Sequence, residues 1–423
     1  MDFSTFLTNA TRRRKSSILR ELAMRFIETK DAISLANGMP NTKTFPFLDI
    51  SVTYKGGTKV KLVGEELSWS LQYGPSQGYL PLLKKMREFQ EYWHKPIYND
   101  WDVLFTSGSM DGCSKIFEMT LETGDPVMVQ TPTYDGILNA LAPLMPEFIE
   151  ISQDRNGIIP VNIRKICEER RDSGKPMPKV LYTNPTGANP TGTVLTESRR
   201  REVYELADTY NFLIVEDDPY CFIHFVDKKP TTFLELDTKG RVIRLDSFSK
   251  ILSAGLRLGV VTAHKEVIKK LTTHMEATNI HASSLSQVLL FKLLDAWDLE
   301  KIRQHFNDIQ KFYHERRDIM LSLIEKHLTG LAEWNVPKGG MFVWLKVNKT
   351  KDVMELARMK CISRGIFLIP GHAFNHDRSK PEQHLRLCYS YATSQEIDKV
   401  LVFFDSVLYL IHLIIYSIAS MFL

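Results

Sequence analysis

Lys250 stands in the run Asp246-Ser-Phe-Ser-Lys-Ile-Leu-Ser-Ala-Gly-Leu-Arg257, between two short apolar stretches, Arg241 to Leu245 and Leu258 to Ala263. A lysine at a strand end, flanked by Ser247 and Ser249 and followed seven residues later by Arg257, has the parts for a Schiff base beside a gripped phosphate. Alone, the pattern reads far more readily as a solvated loop charge. Partners elsewhere must decide. Ser109 follows the turn Ser107-Gly-Ser, and the free N–H groups of residues 109–111 at a helix start can receive an anion. The same S-G-S is also a good N-cap. Asp217 closes the run Phe212-Leu-Ile-Val-Glu216, where a carboxylate can keep a pyridine nitrogen protonated, or simply end a strand in a turn. Tyr220 and Asn189 can donate to a phenolic oxygen, although Asn189 also sits in loop punctuation, Asn184-Pro-Thr-Gly-Ala-Asn-Pro-Thr-Gly192. Arg386, within His384-Leu-Arg-Leu-Cys388, has the planar fork that suits an α-carboxylate, or is an edge-strand charge. Taken together, these are the groups that a lysine-bound pyridoxal phosphate and an amino-acid substrate demand.

Such residues need a frame. Continuous apolar runs at 102–106, 126–130, 179–183, 212–216 and 241–245 alternate with amphipathic stretches, clearest at 198–210. This predicts an α/β fold with a mostly parallel sheet covered on both faces. Ligands bind beyond the carboxyl ends of such strands. Ser109, Asn189, Asp217 and Lys250 each fall just after one. Before the sheet, residues 31–47 break at Gly38, Pro40 and Pro46, and the turn Tyr73-Gly-Pro-Ser-Gln-Gly78 precedes a helix over 80–93. From residue 284 the pattern is helical to 329. It then gives strands at 340–346, 366–369 and 384–389 and a helix near 351–364, which predicts a smaller α+β lobe. The expected division is 1–44 packing on the smaller domain, 45–299 as the large domain, 300–410 as the small one, and 411–423 as an apolar tail.

Composition narrows the class. The 423 residues are 43% apolar and 25% charged, with a net charge of +4 from 54 bases and 50 acids. That is ordinary for a folded globular chain. No dense basic block carries interleaved aromatics, so nucleic-acid binding has no support. Five scattered cysteines without a C-x-x-C pair argue for a reducing compartment and against a disulfide framework, and no ligand spacing suggests a metal. Residues 1–30 carry Arg12, Arg13, Arg14, Lys15, Arg20 and Arg25, similar to a mitochondrial presequence, against which Asp2, Glu21 and Glu28 count. Ser406 to Leu423 holds no Asp, Glu, Lys or Arg over 18 residues, which suits a tail anchor, a buried helix extension or an error in the gene model.

N-P-T-G twice, then Glu216-Asp-Asp-Pro-Tyr220, Ser247-Phe-Ser-Lys250 and Gly255-Leu-Arg257 resemble a fold-type-I pyridoxal-phosphate aminotransferase of class I. Ile33 to Asn41, Leu71 to Ser76, Leu328 to Trp334 and Gly340 to Trp344 bring the resemblance closer to kynurenine/2-aminoadipate aminotransferases, over residues 3 to 410. The resemblance implies that Lys250 holds the cofactor and shuttles a proton. It implies that Asp217 pairs with the ring nitrogen, Tyr220 and Asn189 with the phenolic oxygen, and that Tyr134 stacks on the ring. Ser109, Met110, Ser247, Ser249 and Arg257 would hold the phosphate, and Arg386 the α-carboxylate. A homodimer is implied, with Tyr73 reaching across its interface to join the residues on the phosphate, and Arg20, Gly38 and Phe342 resemble residues lining the substrate side-chain pocket.

The resemblance further implies transfer of an amine from kynurenine, 2-aminoadipate or a related amino acid to 2-oxoglutarate or another 2-oxo acid, in the mitochondrial matrix or the cytoplasm. A cysteine-conjugate β-lyase would use the same Lys250, Asp217 and Arg386. A cofactor-sensing transcription regulator would need a DNA-binding domain ahead of the fold, for which the resemblance leaves no room. Three positions depart from the family. Ser109-Met-Asp-Gly112 replaces S-Q-Q-G, so Met110 loses a donor and Asp111 adds a charge near the anion, which predicts weaker cofactor affinity. Asn37 replaces a glycine beside the pocket.

Overall fold

A computed structural model describes residues 1–29, 33, 35, 36 and 38–421, without the side chains of 23, 24, 27, 28 and 410–421. Asn37 therefore lies outside the described residues. Strands β1 (Ile50–Thr53) and β2 (Lys59–Leu62) form a separate antiparallel hairpin. The main sheet holds β3 (Trp101–Thr106), β4 (Pro126–Thr131), β5 (Glu147–Asp154), β6 (Gly157–Ile158), β7 (Val180–Thr183), β8 (Leu213–Asp217), β9 (Val242–Ser247) and β10 (Gly259–His264). Their spatial order is β3-β10-β9-β8-β7-β4-β5-β6. From β9 to β5 the pairings are parallel, while β10 runs against both β9 and β3.

Strands β7, β8 and β9 are buried along their whole length, which is why they read as unbroken runs rather than alternations. Successive side chains enter opposite cores. Val180 and Tyr182 meet the helices Ser109–Thr120 and Lys265–Thr278, whereas Leu181 and Ile214 meet Pro160–Asp172 and Glu197–Tyr210. This is the expected fold, a fold-type-I transferase sheet with helices on both faces.

A second, four-stranded antiparallel sheet holds β11 (Ala332–Trp334), β12 (Phe342–Val347), β13 (Ile369–Pro370) and β14 (His384–Cys388), in the order β11-β12-β14-β13. Its core is closed by Met320, Ile324 and Leu328 of the helix Leu299–Leu328 and by Ile397, Leu401 and Phe404 of the helix Ser394–Met421. Backbone meets backbone where the two sheets join. A Cβ on Gly187 would lie 2.2 Å from Gly340 N, and one on Gly340 would lie 2.4 Å from Gly187 O, so both must be glycine. Lys338 N–H donates to Gly192 O and Gly340 N–H to Ile223 O, each at 2.8 Å.

Several expectations change. Among the described residues the N-terminal segment packs on the main sheet's helices rather than on the smaller lobe. Phe3 and Phe6 enter the core beneath Ser109–Thr120, and Thr8 N–H donates to Met119 O at 2.9 Å. An apolar pair on one short turn finds its burial there. The helix expected over 351–364 contracts to a π turn, Leu356–Cys361, and a 3-10 turn, Ile362–Arg364, stopped by Gly365 at φ +71°. Of the strand expected over 366–369 only Ile369 remains, paired together with Pro370. The hairpin β1–β2 and the strands β5, β6 and β11 are additions. The C-terminal helix carries the backbone through most of the apolar tail, whose side chains from 410 onward lie outside the described residues. Among the described residues no helix is long and apolar enough to cross a membrane.

Candidate active site

Parallel strands deliver their last residues to one edge, and a cavity of about 450 Å³ opens there. Ser109, Met110, Tyr134, Asn189, Asp217, Tyr220, Ser247, Ser249, Lys250, Arg257, Phe342 and Arg386, all expected from the sequence, line it together. Arg20, Gly38 and Tyr73 do not join them. They line a second cavity of about 470 Å³, in which the Arg20 guanidinium lies 5.8 Å from the Tyr73 ring centroid.

Asp217 ends β8 and is buried. Tyr182 Oη donates to its Oδ2 at 2.7 Å, while Oδ1 is buried without a hydrogen-bond partner. Burial pushes the carboxyl up to about 6, the Tyr182 bond opposing the shift. An orphaned carboxylate oxygen in a cavity is costly unless a donor or cation meets it, and a pyridinium N–H fits that need. Asn184 Nδ2 donates to Asp217 O at 2.7 Å, and Asn184 Oδ1 accepts the Asn189 N–H at 2.8 Å, so the N-P-T-G loop is pinned to the strand end that carries the acid.

Lys250 is half-buried after β9, and among the described residues no hydrogen bond or ion pair holds its amine. The corner opposite suits a phosphate. The helix Ser109–Thr120 starts there behind Gly108, at φ +90°, and a Cβ on Gly108 would lie 2.5 Å from Arg257 Nη2. Arg257 Nη1 donates to Ala254 O at 3.3 Å and Nη2 to Ser107 O at 3.5 Å, which leaves donors of its fork for an anion. Ser247 Oγ accepts the Ser249 N–H at 3.3 Å.

Arg386 comes from the other sheet. Its Nη1 donates to Asn189 Oδ1 at 3.0 Å, its guanidinium lies 4.4 Å from the Phe342 ring centroid and 5.2 Å from that of Phe374, and its buried Nε has no partner. Burial lowers its pKa. Tyr220 packs edge-on against Phe342 at 5.9 Å, and burial raises its hydroxyl pKa, as it does that of Tyr134.

Sequence reasoning passed over Tyr182, Asn184 and a layer of charge behind the site. Arg244 is fully buried, with Nη2 donating to Asp246 Oδ1 at 2.6 Å and Nη1 lying 3.1 Å from Asp218 Oδ2 and 3.2 Å from Glu216 Oε2. The acids on either side of Asp217 are thereby tied to β9. Asp111 also corrects an expectation. It does not line the cavity, because its Oδ2 accepts the Ser107 N–H at 2.9 Å and its Oδ1 contacts Lys115 Nζ. Its charge is paired and serves the helix start.

Residues 66–404 match the family model for aminotransferase class I and II, and the chain belongs to that family. Its members are pyridoxal-phosphate-dependent transaminases. A mitochondrial kynurenine/alpha-aminoadipate aminotransferase of Rattus norvegicus is 41% identical over 415 residues, covering 95% of this chain and 97% of the relative. Among solved structures, the aromatic aminotransferase Aro9 of C. albicans superposes with a TM-score of 0.86 at 28% identity, covering 97% of this chain and 98% of that one. A kynurenine aminotransferase of Pyrococcus horikoshii gives 0.77 at 30% identity, with 96% and 98% covered.

Proposed function

We propose that this aminotransferase moves the amino group of kynurenine, 2-aminoadipate or a related amino acid to 2-oxoglutarate or another 2-oxo acid, with pyridoxal phosphate on Lys250. The observation that carries the reading is one cavity in which the Lys250 amine, a buried Asp217 with an unpartnered oxygen and the Arg386 fork converge. The names of the rat and archaeal relatives support the substrate class.

When bound, the cofactor supplies an electron sink that lets a Cα–H bond ionise. Lys250 anchors it covalently and, once displaced, carries a proton between Cα and C4′. Asp217 keeps the ring nitrogen protonated, its carboxylate ionising readily beside that positive charge. Tyr220 and Asn189 donate to the phenolic oxygen; with Asn189 Oδ1 engaged by Arg386, its Nδ2 remains the donor. Tyr134 covers the ring. Ser109, the Met110 N–H, Ser247, Ser249 and Arg257 hold the phosphate. Arg386 grips the α-carboxylate, with Phe342 stacked against its guanidinium.

The same reading makes the enzyme a homodimer in which Tyr73, Arg20 and Gly38 complete the partner's substrate pocket. It divides the chain near residue 300 into a large cofactor-binding domain and a smaller one, and places the enzyme in the mitochondrial matrix or the cytoplasm. The test is a panel of amino donors offered with 2-oxoglutarate, run beside borohydride labelling of the loaded protein and peptide mapping. The label should fall on Lys250, and kynurenine or 2-aminoadipate should lead the panel. No label after incubation with pyridoxal phosphate overturns the cofactor assignment, and a panel led by unrelated donors overturns the substrate.

A further inference from the structure

The basic run Arg12-Arg-Arg-Lys-Ser-Ser17 plays no part in that chemistry. Arg14 to Ser17 forms an extended link between the helices Asn9–Arg13 and Ile18–Glu28. Arg12, Arg13, Lys15 and Ser16 are exposed. Among the described residues the charged groups of Arg13, Arg14 and Lys15 hold no ion pair or hydrogen bond, which leaves them open to an acidic partner.

One acid ties the end of this link down. Glu276, on the helix Lys265–Thr278, accepts the Ser16 hydroxyl at 3.0 and 3.2 Å to its two oxygens and the Ser17 N–H at 2.9 Å. Ser17 itself makes no side-chain cap bond, so the start of Ile18–Glu28 is capped from outside by a carboxylate, the charge a helix N-terminus favours. Ser17, Arg20 and Glu276 share the wall of the second cavity. The segment that Glu276 holds at Ser16 and Ser17 is the one that brings Arg20 to that wall.

We propose that Ser16 is a phosphorylation site for a protein kinase that reads arginines two and three residues ahead of its target, and that the phosphate unlatches the helix Ile18–Glu28 from Glu276. Arg14 opens the extended link and is partly exposed, and Arg13, exposed, ends the helix Asn9–Arg13 just before it, so the two occupy those positions. The kinase transfers the γ-phosphoryl group of Mg·ATP. The bond from the γ-phosphorus to its bridging oxygen breaks, the bond to Ser16 Oγ forms, the hydroxyl proton passes to the kinase's base, and ADP leaves with no change of oxidation state. A neutral donor to Glu276 becomes an acceptor carrying a charge of about −2. Carboxylate and phosphate then repel at hydrogen-bond range. The helix itself survives, since a phosphate ahead of its first turn suits its N-terminal dipole. Only its docking is lost. That activity also falls rests on the proposed role of the second cavity in a partner's pocket.

The test uses full-length protein, the catalytic subunit of an arginine-directed kinase and Mg·ATP, with the product read by peptide mass mapping and hydrogen exchange. One phosphate should appear on Ser16 and none on Ser16→Ala. Exchange of amides 17–28 should then speed by roughly tenfold or more, the worth of a hydrogen bond to a charged group, while amides of β9 stay unchanged. Glu276→Ala should speed the same amides without phosphate and make phosphorylation silent there. Phosphate absent from Ser16, or found on Ser17 alone, overturns the site. Phospho-Ser16 protein that exchanges like the unmodified chain overturns the latch. Both readouts stand whether or not the substrate assignment does.

Discussion

Asp217→Asn separates two consequences of one buried carboxylate. Without cofactor, burial lifts the Asp217 pKa from 3.8 to about 6. An acid whose native pKa lies above its unfolded value binds its proton more tightly when folded. Its contribution to stability is therefore complete below the unfolded pKa and is lost as pH rises through about 6. A shift of about two units amounts to roughly 3 kcal/mol once both states are ionised. Asparagine keeps the shape and can still accept the Tyr182 hydroxyl, yet has no charge to desolvate. The cofactor-free variant should accordingly be more stable than the wild type by up to about 3 kcal/mol at pH 8, with the gap narrowing to about half at pH 5. With cofactor bound the order should reverse, because a ring cation against Oδ1 relieves the penalty only in the wild type. Urea denaturation of both proteins at the two pH values, with and without saturating pyridoxal phosphate, reads all of this. A variant less stable at both pH values, or a gap that does not change with pH, refutes the argument from the unpartnered oxygen.

Three further changes probe the other corners. Gly108→Ala forces a side chain into a backbone region that costs on the order of 1–3 kcal/mol and drives its Cβ against Arg257. The affinity for pyridoxal phosphate, followed by visible absorbance, should fall about tenfold or more, and an unchanged Kd counts against the phosphate corner. Arg386→Lys loses the fork and its stack on Phe342, so kcat/KM for amino donors should fall at least roughly tenfold, from a loss of about 1.5–3 kcal/mol, while the cofactor spectrum stays as it was. A spectral change would place Arg386 on the cofactor instead. Asp111→Asn should cost about 1 kcal/mol through the weakened helix start and leave cofactor affinity within about twofold; a clear gain in affinity would show that the charge does reach the phosphate.

The strand ends were legible because β7, β8 and β9 are buried on both faces, so their apolar runs stop where polar chemistry begins. That placed Asp217 and Lys250 before any contact was known. Tyr182 was not legible. In Val180-Leu-Tyr-Thr183 it reads as core, and only the parallel register that sets Tyr182 beside Val215 brings its hydroxyl to Asp217. Arg244 failed for a related reason, since a charge inside Arg241-Val-Ile-Arg-Leu245 suggests an exposed face, whereas three acids from two strands neutralise it in the interior. Strand β5 was missed because one of its faces is largely exposed, so Glu150, Ser152 and Asp154 interrupt the apolar signal. The N-terminal segment shows the limit of composition, as nothing in Phe3-Ser-Thr-Phe6 names the core it enters.

The glycine contact between the two sheets bears on how such chains can be recombined. Gly187 and Gly340 touch through their backbones, so at that point of the seam each half has only to keep its glycine. A chimera cut between residues 300 and 330, well away from the seam, inherits one glycine from each parent. It should join correctly when both parents keep theirs together with the side-chain contacts beside them, Arg386 to Asn189 and Asn335 to Thr191 O. A single alanine on either side would defeat the graft, since one added carbon at 2.2 to 2.4 Å pushes the whole second sheet, and Arg386 with it, away from Asn189. The seam behaves as a mechanical datum from which the substrate side of the site is measured.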